Sequence, residues 1–394
     1  MKEKCLQEIL FVSHDAGRTG APLVLLNFQR WLRKHTNLKL TTILRKSGPL
    51  EAEFASLGET FLIKPGRWER ILRERIASRL PANVGANKRL AALRARPHQL
   101  IYSNTVTNGD VLQILARPGL PVITHVHELN YWIDRSGPDN WSNVCRHTTK
   151  FVAVSEAVSR NLQERHQIPP ARMEVVHEFI PVDGDTPNHD ARAGAAMKEQ
   201  LGIPASAFVV GGSGSETWRK GKDLFVQLAI MLRRRNPSRP FYFVWVGAEG
   251  DDEERRQLKH DIELAGIADS FRWTGEVSNP RDYFACFDAF TLVSREDPFP
   301  LVCLEAGLME KPILCFADAG GAAELIEEDS GFVVPYLDLN VMADKLLLLG
   351  ENEELRRKLG ACAAAKVRTR FSLDVMAPRL HRVIDNMLDQ KTLT

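Results

Sequence analysis

The chain has no CxxC pair. Its six cysteines (Cys5, Cys145, Cys286, Cys303, Cys315 and Cys362) are scattered over 394 residues, several of them inside apolar runs. That scatter argues against a zinc site or a disulfide framework and fits buried, reduced thiols in a cytosolic protein. Long apolar runs are missing too. The first, Ile9–Val12, is far too short for the core of a secretion signal, and no run approaches the ~20 residues that cross a bilayer. There is no internal repeat and no low-complexity tract. Nor does one sign of charge dominate: 52 Lys and Arg stand against 50 Asp and Glu, so net charge by itself names no partner.

What is present is the balance of a globular protein, 44% hydrophobic and 26% charged, at a length that suits two domains. Short apolar runs alternate with helix-length segments throughout. The first half carries Ile9–Ser13, Leu40–Leu44, Thr60–Ile63, Leu100–Ser103, Val122–Val126 and Phe151–Ser155. The second carries Phe208–Gly212, Phe241–Val246, Phe271–Thr274, Ala289–Ser294, Pro312–Phe316 and Phe332–Pro335. Val-, Ile- and Phe-rich runs spaced this way predict parallel strands covered on both faces by helices. The alternation breaks between Pro181 and Pro204, a polar stretch rich in Gly, Pro and Asp that reads as a linker plus a short helix. We therefore expect two doubly wound Rossmann-like α/β domains, residues 1–185 and 186–371, with residues 372–394 as a closing helix that returns to the first. Ligands of such sheets sit at the carboxyl ends of the strands, and the cleft between the domains is the expected site.

Residues 64–96 hold ten Lys and Arg against Glu69 and Glu74, with Trp68, Ile71, Leu72 and Ile76 as a candidate apolar stripe. An amphipathic basic helix suits an anionic membrane surface or an anionic acceptor; a solvated helix face over an ordinary buried stripe is the plainer reading. No motif with interleaved aromatics points to nucleic acid.

Four segments carry candidate chemistry. In Ser13–Pro22, Gly17 and Gly20 flank Arg18 and Thr19 before a helix pattern, so backbone N–H groups at the helix start are offered to a phosphate; an ordinary strand-to-helix turn would look the same. In Gly212–Phe225, Arg219, Lys220 and Lys222 cluster where a helix begins. Cations there oppose the helix dipole, which makes sense if an anion such as a diphosphate is the partner. In Ser294–Leu314, Glu296 and Asp297 follow an apolar strand, PFP leads into a helix pattern, and Glu305 lies about two turns on. The spacing of Asp297 and Glu305, close to i, i+7, would turn both toward one cleft from different depths. Carboxylates suit hydroxyl-rich ligands because every oxygen accepts hydrogen bonds. In Asp318–Asp338, Gly320 and Gly321 form a flexible turn and Glu324 starts a helix.

Together these segments resemble the retaining glycosyltransferases of the large GT4 family, which have the GT-B fold. The likeness covers essentially the whole chain and is most specific from Gly212 to Pro335. It implies that Gly20 approaches the donor diphosphate and that His127 of THVHE lies by the reacting sugar, with His125 the lesser candidate. Phe151–Ser155 and Glu156 resemble the family's VAVSE segment. Lys220 and Gly221 match its phosphate-contacting pair. Glu305 matches the acid that holds the ribose hydroxyls, and Asp297 the one that touches the sugar. The backbone of Phe299, Pro300 and Leu301 would follow sugar and phosphate, and Gly320, Gly321 and Glu324 match the family's GG…E segment. Two positions depart. Asp297 is one methylene shorter than the usual glutamate, with Glu296 beside it to share the role. The usual arginine is Ser215, with Arg219 to replace its charge.

The resemblance implies transfer of a hexose, with retention and without metal or cofactor, from a UDP-, GDP- or dTDP-sugar to a glycan or lipid-linked acceptor in cell-surface polysaccharide assembly. From the scattered cysteines we expect a cytoplasmic protein, from the basic residues 64–96 a peripheral contact with the anionic inner face of the membrane, and no nucleic-acid partner. DGD at Asp183–Asp185 has the spelling of a metal motif but lies in the linker. The rivals are a phosphorylase or nucleotide-sugar epimerase of the same fold, and a non-catalytic nucleotide-sugar-binding protein.

Overall fold

The computed structural model describes residues 7–64, 84–182, 191–215, 217–247 and 252–392. It resolves into two compact units, Met1–Pro181 with Leu373–Thr394, and Val182–Ser372. The division falls at Pro181/Val182, slightly before the expected boundary at residue 185.

The first unit holds a seven-stranded sheet in the order β3-β2-β1-β4-β5-β6-β7. The strands are β1 Glu8–Ser13, β2 Lys39–Lys46, β3 Glu59–Lys64, β4 Leu100–Asn104, β5 Val122–Val126, β6 Lys150–Ala153 and β7 Met173–Val175. Every pairing is parallel. β1, β4 and β5 are buried along their whole length, as strands covered on both faces must be. The strand order reverses between β1 and β4, so their carboxyl ends open the crevice where ligands of such sheets bind. The closing helix, Leu373–Thr392, belongs to this unit. It buries Met376, Leu380, Ile384 and Leu388, sets His381 against Trp31 at 5.8 Å, and is tied at its start by the Leu373 N–H to the Ile180 oxygen, 2.9 Å.

The second unit holds a six-stranded sheet, β10-β9-β8-β11-β12-β13. Its strands are β8 Phe208–Ser213, β9 Phe241–Val246, β10 Phe271–Trp273, β11 Ala289–Leu292, β12 Ile313–Phe316 and β13 Gly331–Val334, again all parallel. Its core packs Phe208, Phe225, Phe243 and Trp245 beneath Leu228, Met342 and Leu346. The reversal here falls between β8 and β11.

All twelve apolar runs are strands. β7 escaped the sequence reading because it is three residues long and only Met173 is buried. Most of the basic stretch, including Trp68, Ile71, Leu72 and Ile76, lies outside the described residues, as do Asp183–Asp185. What is described of it is a helix, Val84–Arg94, whose Arg89 bonds the Leu62 oxygen at 3.0 Å, and Arg96, paired with Glu59. Among the described residues, no helix is long and apolar enough to cross a membrane.

Candidate functional site

In the second unit, the loops after β8 and β11 flank the reversal of strand order, and each supplies one half of a buried ion pair. After β8, Trp218–Lys220 makes one turn of 3-10 helix and Gly221 begins the helix Lys222–Arg234. Gly221 takes φ 71°, and a Cβ on it would lie 2.1 Å from the Val293 oxygen. Only glycine fits, and the constraint fixes where Lys220 points. Gly221→Ala is therefore expected to cost about 2–3 kcal/mol in urea unfolding.

After β11 the chain cannot enter a helix at once. Pro298 and Pro300 hold the residues before them extended, and Pro300 caps the helix Leu301–Leu308. Asp297 is thus in the loop, not on the helix with Glu305, which corrects the i, i+7 reading: their spacing has no helical meaning. The Asp297 carboxylate is turned instead toward the β8 loop. Lys220 Nζ donates to its Oδ2 at 2.6 Å, Ser294 Oγ donates to the same oxygen at 3.2 Å, and Arg219 Nη1 stands 3.7 Å away. Burial works to raise the Asp297 pKa, but Lys220, Arg219 and Ser294 overcome it and hold the acid below its usual range. Burial pulls the Lys220 ammonium down, against the pull of Asp297.

The glycine pair is bonded to the same loop. Asp297 N–H donates to the Ala319 oxygen at 2.7 Å, and Gly321 N–H is shared between the oxygens of Asp297 and Pro298 at 3.2 and 3.0 Å. Gly320 has φ 134°, a region closed to other residues, and pairs with Asp297 as an isolated parallel bridge. Gly321 caps the short helix Ala322–Ile326 that carries Glu324. Lys220, Asp297, Gly320 and Gly321 are thus brought together, with Arg219 and Glu296 joined by the Arg219 bond to the Glu296 oxygen at 3.1 Å. Phe299 turns its ring into the core against Phe371, 5.3 Å between centroids, which leaves its backbone beside Pro300 and Leu301.

Two features of this unit look for something further. Arg219 Nε and Thr217 Oγ1 are buried with no hydrogen-bond partner among the described residues, which costs stability unless another group meets them. Glu305 is half-buried on Leu301–Leu308, and burial pushes its carboxyl up from 4.5 to about 6 against the nearby charge of Arg281. Sequence reasoning missed Arg295. It clamps Asp223 through two bonds, 2.9 and 2.6 Å, and lies over the exposed Trp218 ring at 4.7 Å, bracing the Lys220 turn from outside.

In the first unit the crevice residues come from β1, β4, β5 and the loop after β7. Gly20 opens the helix Gly20–His35, whose cap Thr19 makes no side-chain bond and whose first turn holds no acid. The uncapped N–H groups are unopposed by negative charge. His127 follows β5 and has both ring nitrogens engaged: Nδ1 with Glu178 Oε1 at 2.7 Å and Nε2 with Asn104 Oδ1 at 2.9 Å. His125 is 1% exposed and bonds Tyr102, so His127 is the one held at the crevice. Asn104 and Glu178 carried no signal in the sequence that set them apart.

Residues 195–366 match the family model described as Glycosyl transferases group 1, and residues 19–183 match that of Glycosyltransferase Family 4. The chain belongs to glycosyltransferase family 4. Among curated relatives of this family-4 chain, a D-inositol 3-phosphate glycosyltransferase of Salinispora arenicola is 29% identical over 77% of the chain and 72% of its own length. A lipopolysaccharide core biosynthesis glycosyltransferase, LpsD of Rhizobium meliloti, is 30% identical over 44% of the chain and 48% of its own. Among solved structures, Anabaena Alr3699/HepE, in complex with UDP and glucose, superposes with a TM-score of 0.76 at 19% identity, covering 96% of the chain and 99% of that protein. The two parallel-sheet units are those of GT-B glycosyltransferases.

Proposed function

We propose that this family-4 chain is a retaining hexosyltransferase. It takes a hexose from a nucleotide diphosphate sugar and joins it to a hydroxyl of a glycan or glycolipid in cell-surface polysaccharide assembly. The observation that carries the reading is the Lys220–Asp297 pair at the reversal of the second sheet, with two buried, unmatched donors beside it on Thr217 and Arg219. Such donors and a desolvated ammonium are what a diphosphate leaving group needs, because charge grows on its bridging oxygen as the C1–O bond breaks. Glu305 is the acid for the ribose hydroxyls and Asp297 for the sugar. Asp297 answers through its second oxygen, since Oδ2 is taken by Lys220 and Ser294. The charges for this chemistry come from the chain's own cations and amides, and no metal enters the scheme.

In the reaction the C1–O bond to the diphosphate breaks and an acceptor oxygen bonds C1 from the same face. The acceptor's proton passes to the leaving phosphate oxygen. The UDP and glucose of the Anabaena neighbour make UDP-hexoses the first donors to try. The test is a panel of UDP-, GDP- and dTDP-sugars read by calorimetry and slow hydrolysis. One nucleotide class should bind and hydrolyse, with diphosphate released. Release of an isomerised sugar nucleotide without hydrolysis would mark an epimerase, and binding of none would end the proposal.

A further inference from the structure

The turn that carries Lys220 has little cohesion of its own. Trp218–Lys220 is a single turn of 3-10 helix, closed by the Lys220 N–H to the Thr217 oxygen at 2.9 Å and the Gly221 N–H to the Trp218 oxygen at 3.1 Å. Such turns bond with poorer geometry than an α-helix. Lysine then adds a flexible four-carbon stem. A cation that has to meet one developing charge needs a firmer mount, because a displacement of about 1 Å can cost 100-fold in rate.

Arg295, in the loop after β11, supplies that mount. Its N–H donates to the Arg219 oxygen at 2.7 Å and its Nη1 to the Trp218 oxygen at 3.0 Å, so it grips both peptide oxygens just ahead of Lys220. Nη1 and Nη2 also clasp the two oxygens of Asp223, at 2.9 and 2.6 Å, three residues past Lys220. Lys220 is thus bracketed along the chain on both sides by one residue. The guanidinium stands 4.7 Å from the centre of the Trp218 ring, and its side chain is only 12% exposed, so the clasp is no ordinary surface pair.

The mount is anchored at its own end as well. Arg295 lies two residues before Asp297, and its oxygen accepts from the Tyr336 hydroxyl, beyond β13, at 3.2 Å. One side chain therefore ties the turn that bears the cation to the loop that bears the acid. A planar fork can hold a carboxylate by two bonds and lie over a ring at once, whereas a lysine ammonium is a point charge.

We propose that Arg295 is a positioning residue for Lys220: by holding Trp218, Arg219 and Asp223 it sets the place of the ammonium against Asp297, and it acts on transfer through Lys220. What the placement does for transfer rests on the glycosyltransferase reading; the placement itself does not.

The first test needs no substrate. Lys220→Ala, Asp297→Asn and the pair of them, unfolded in urea, give the coupling between the two side chains. Repeated in an Arg295→Ala background, that coupling should fall to about half or less. Arg295→Lys, which keeps the charge and loses the fork, should lower it too and serves if Arg295→Ala does not fold. In turnover, Arg295→Ala should reduce kcat about 10- to 100-fold and change KM for the donor less than about threefold. In a Lys220→Ala background the same substitution should cost less than about twofold more, since no ammonium is left to misplace. A guanidinium that touched the diphosphate itself, or one that merely held the unit together, would take its full loss again. An undiminished Lys220–Asp297 coupling overturns the proposal, and so do losses that multiply in the double variant or an Arg295→Lys that turns over at the parent rate. Reduced coupling with no donor turned over by the parent would count against the proposed function only.

Discussion

Lys220→Ala is expected to lower kcat/KM for donor turnover at least about 100-fold, and to destabilise the second unit by about 3 kcal/mol. The two losses have different origins. On the proposed chemistry, turnover falls because the Lys220 ammonium is the cation that meets the leaving phosphate. Stability falls because the variant leaves Asp297, 4% exposed, supported among the described residues by Ser294 and an Arg219 group 3.7 Å away. Removing one partner of a buried pair costs more than the pair contributes. Lys220→Ala combined with Asp297→Asn removes the stranded charge as well. The double variant should regain most of the lost stability in urea while turnover stays low. If Lys220→Ala unfolds like the wild type, the carboxylate is not held as described. If it turns over donor at the parent rate, the cation has no part in the chemistry.

The legibility of this chain follows from where its information is local. Strands such as Ile9–Val12 and Phe208–Val210 are apolar without a break because both faces are covered, and that pattern survives without any knowledge of partners. Lys220, Gly221, Asp297 and the two glycines at 320 and 321 were likewise readable, because close backbone approach leaves little freedom in residue type. What could not be read is long-range pairing. Nothing in the neighbourhood of Glu178 announces a histidine 51 positions away, and β7, which brings it there, is too short to show a period. Asp297 lies beside Lys220, but not for the reason its spacing offers. Its spacing to Glu305 suggests a shared helix face, whereas Pro298 and Pro300 keep it in a loop that faces Lys220.

Glu305→Gln is expected to make the protein more stable and a weaker binder of its donor. The carboxyl stands at about 6 in the folded chain against 4.5 ordinarily, because burial disfavours its charge and Arg281 only partly offsets this. The folded state therefore holds the proton more tightly than the unfolded state does. Ionising Glu305 costs nothing below pH 4.5, an increasing amount between 4.5 and 6, and its full penalty above 6, which for this shift is about 2 kcal/mol. A neutral glutamine escapes that penalty. Urea unfolding at pH 7.5 should show Glu305→Gln ahead by about 1–2 kcal/mol, and at pH 4.5 the two proteins should coincide. Binding should move the other way. A charged carboxylate accepting from ribose hydroxyls is worth about 1.5–3 kcal/mol, so the variant should lose about 10- to 100-fold in donor affinity at pH 7.5. Wild-type affinity should fall as the pH drops through 6, and the affinity of Glu305→Gln should not. A destabilised acid retained at the site has a reason only if a ligand meets its charge. A variant that is stabilised yet binds every nucleotide sugar like the parent would remove Glu305 from the donor site.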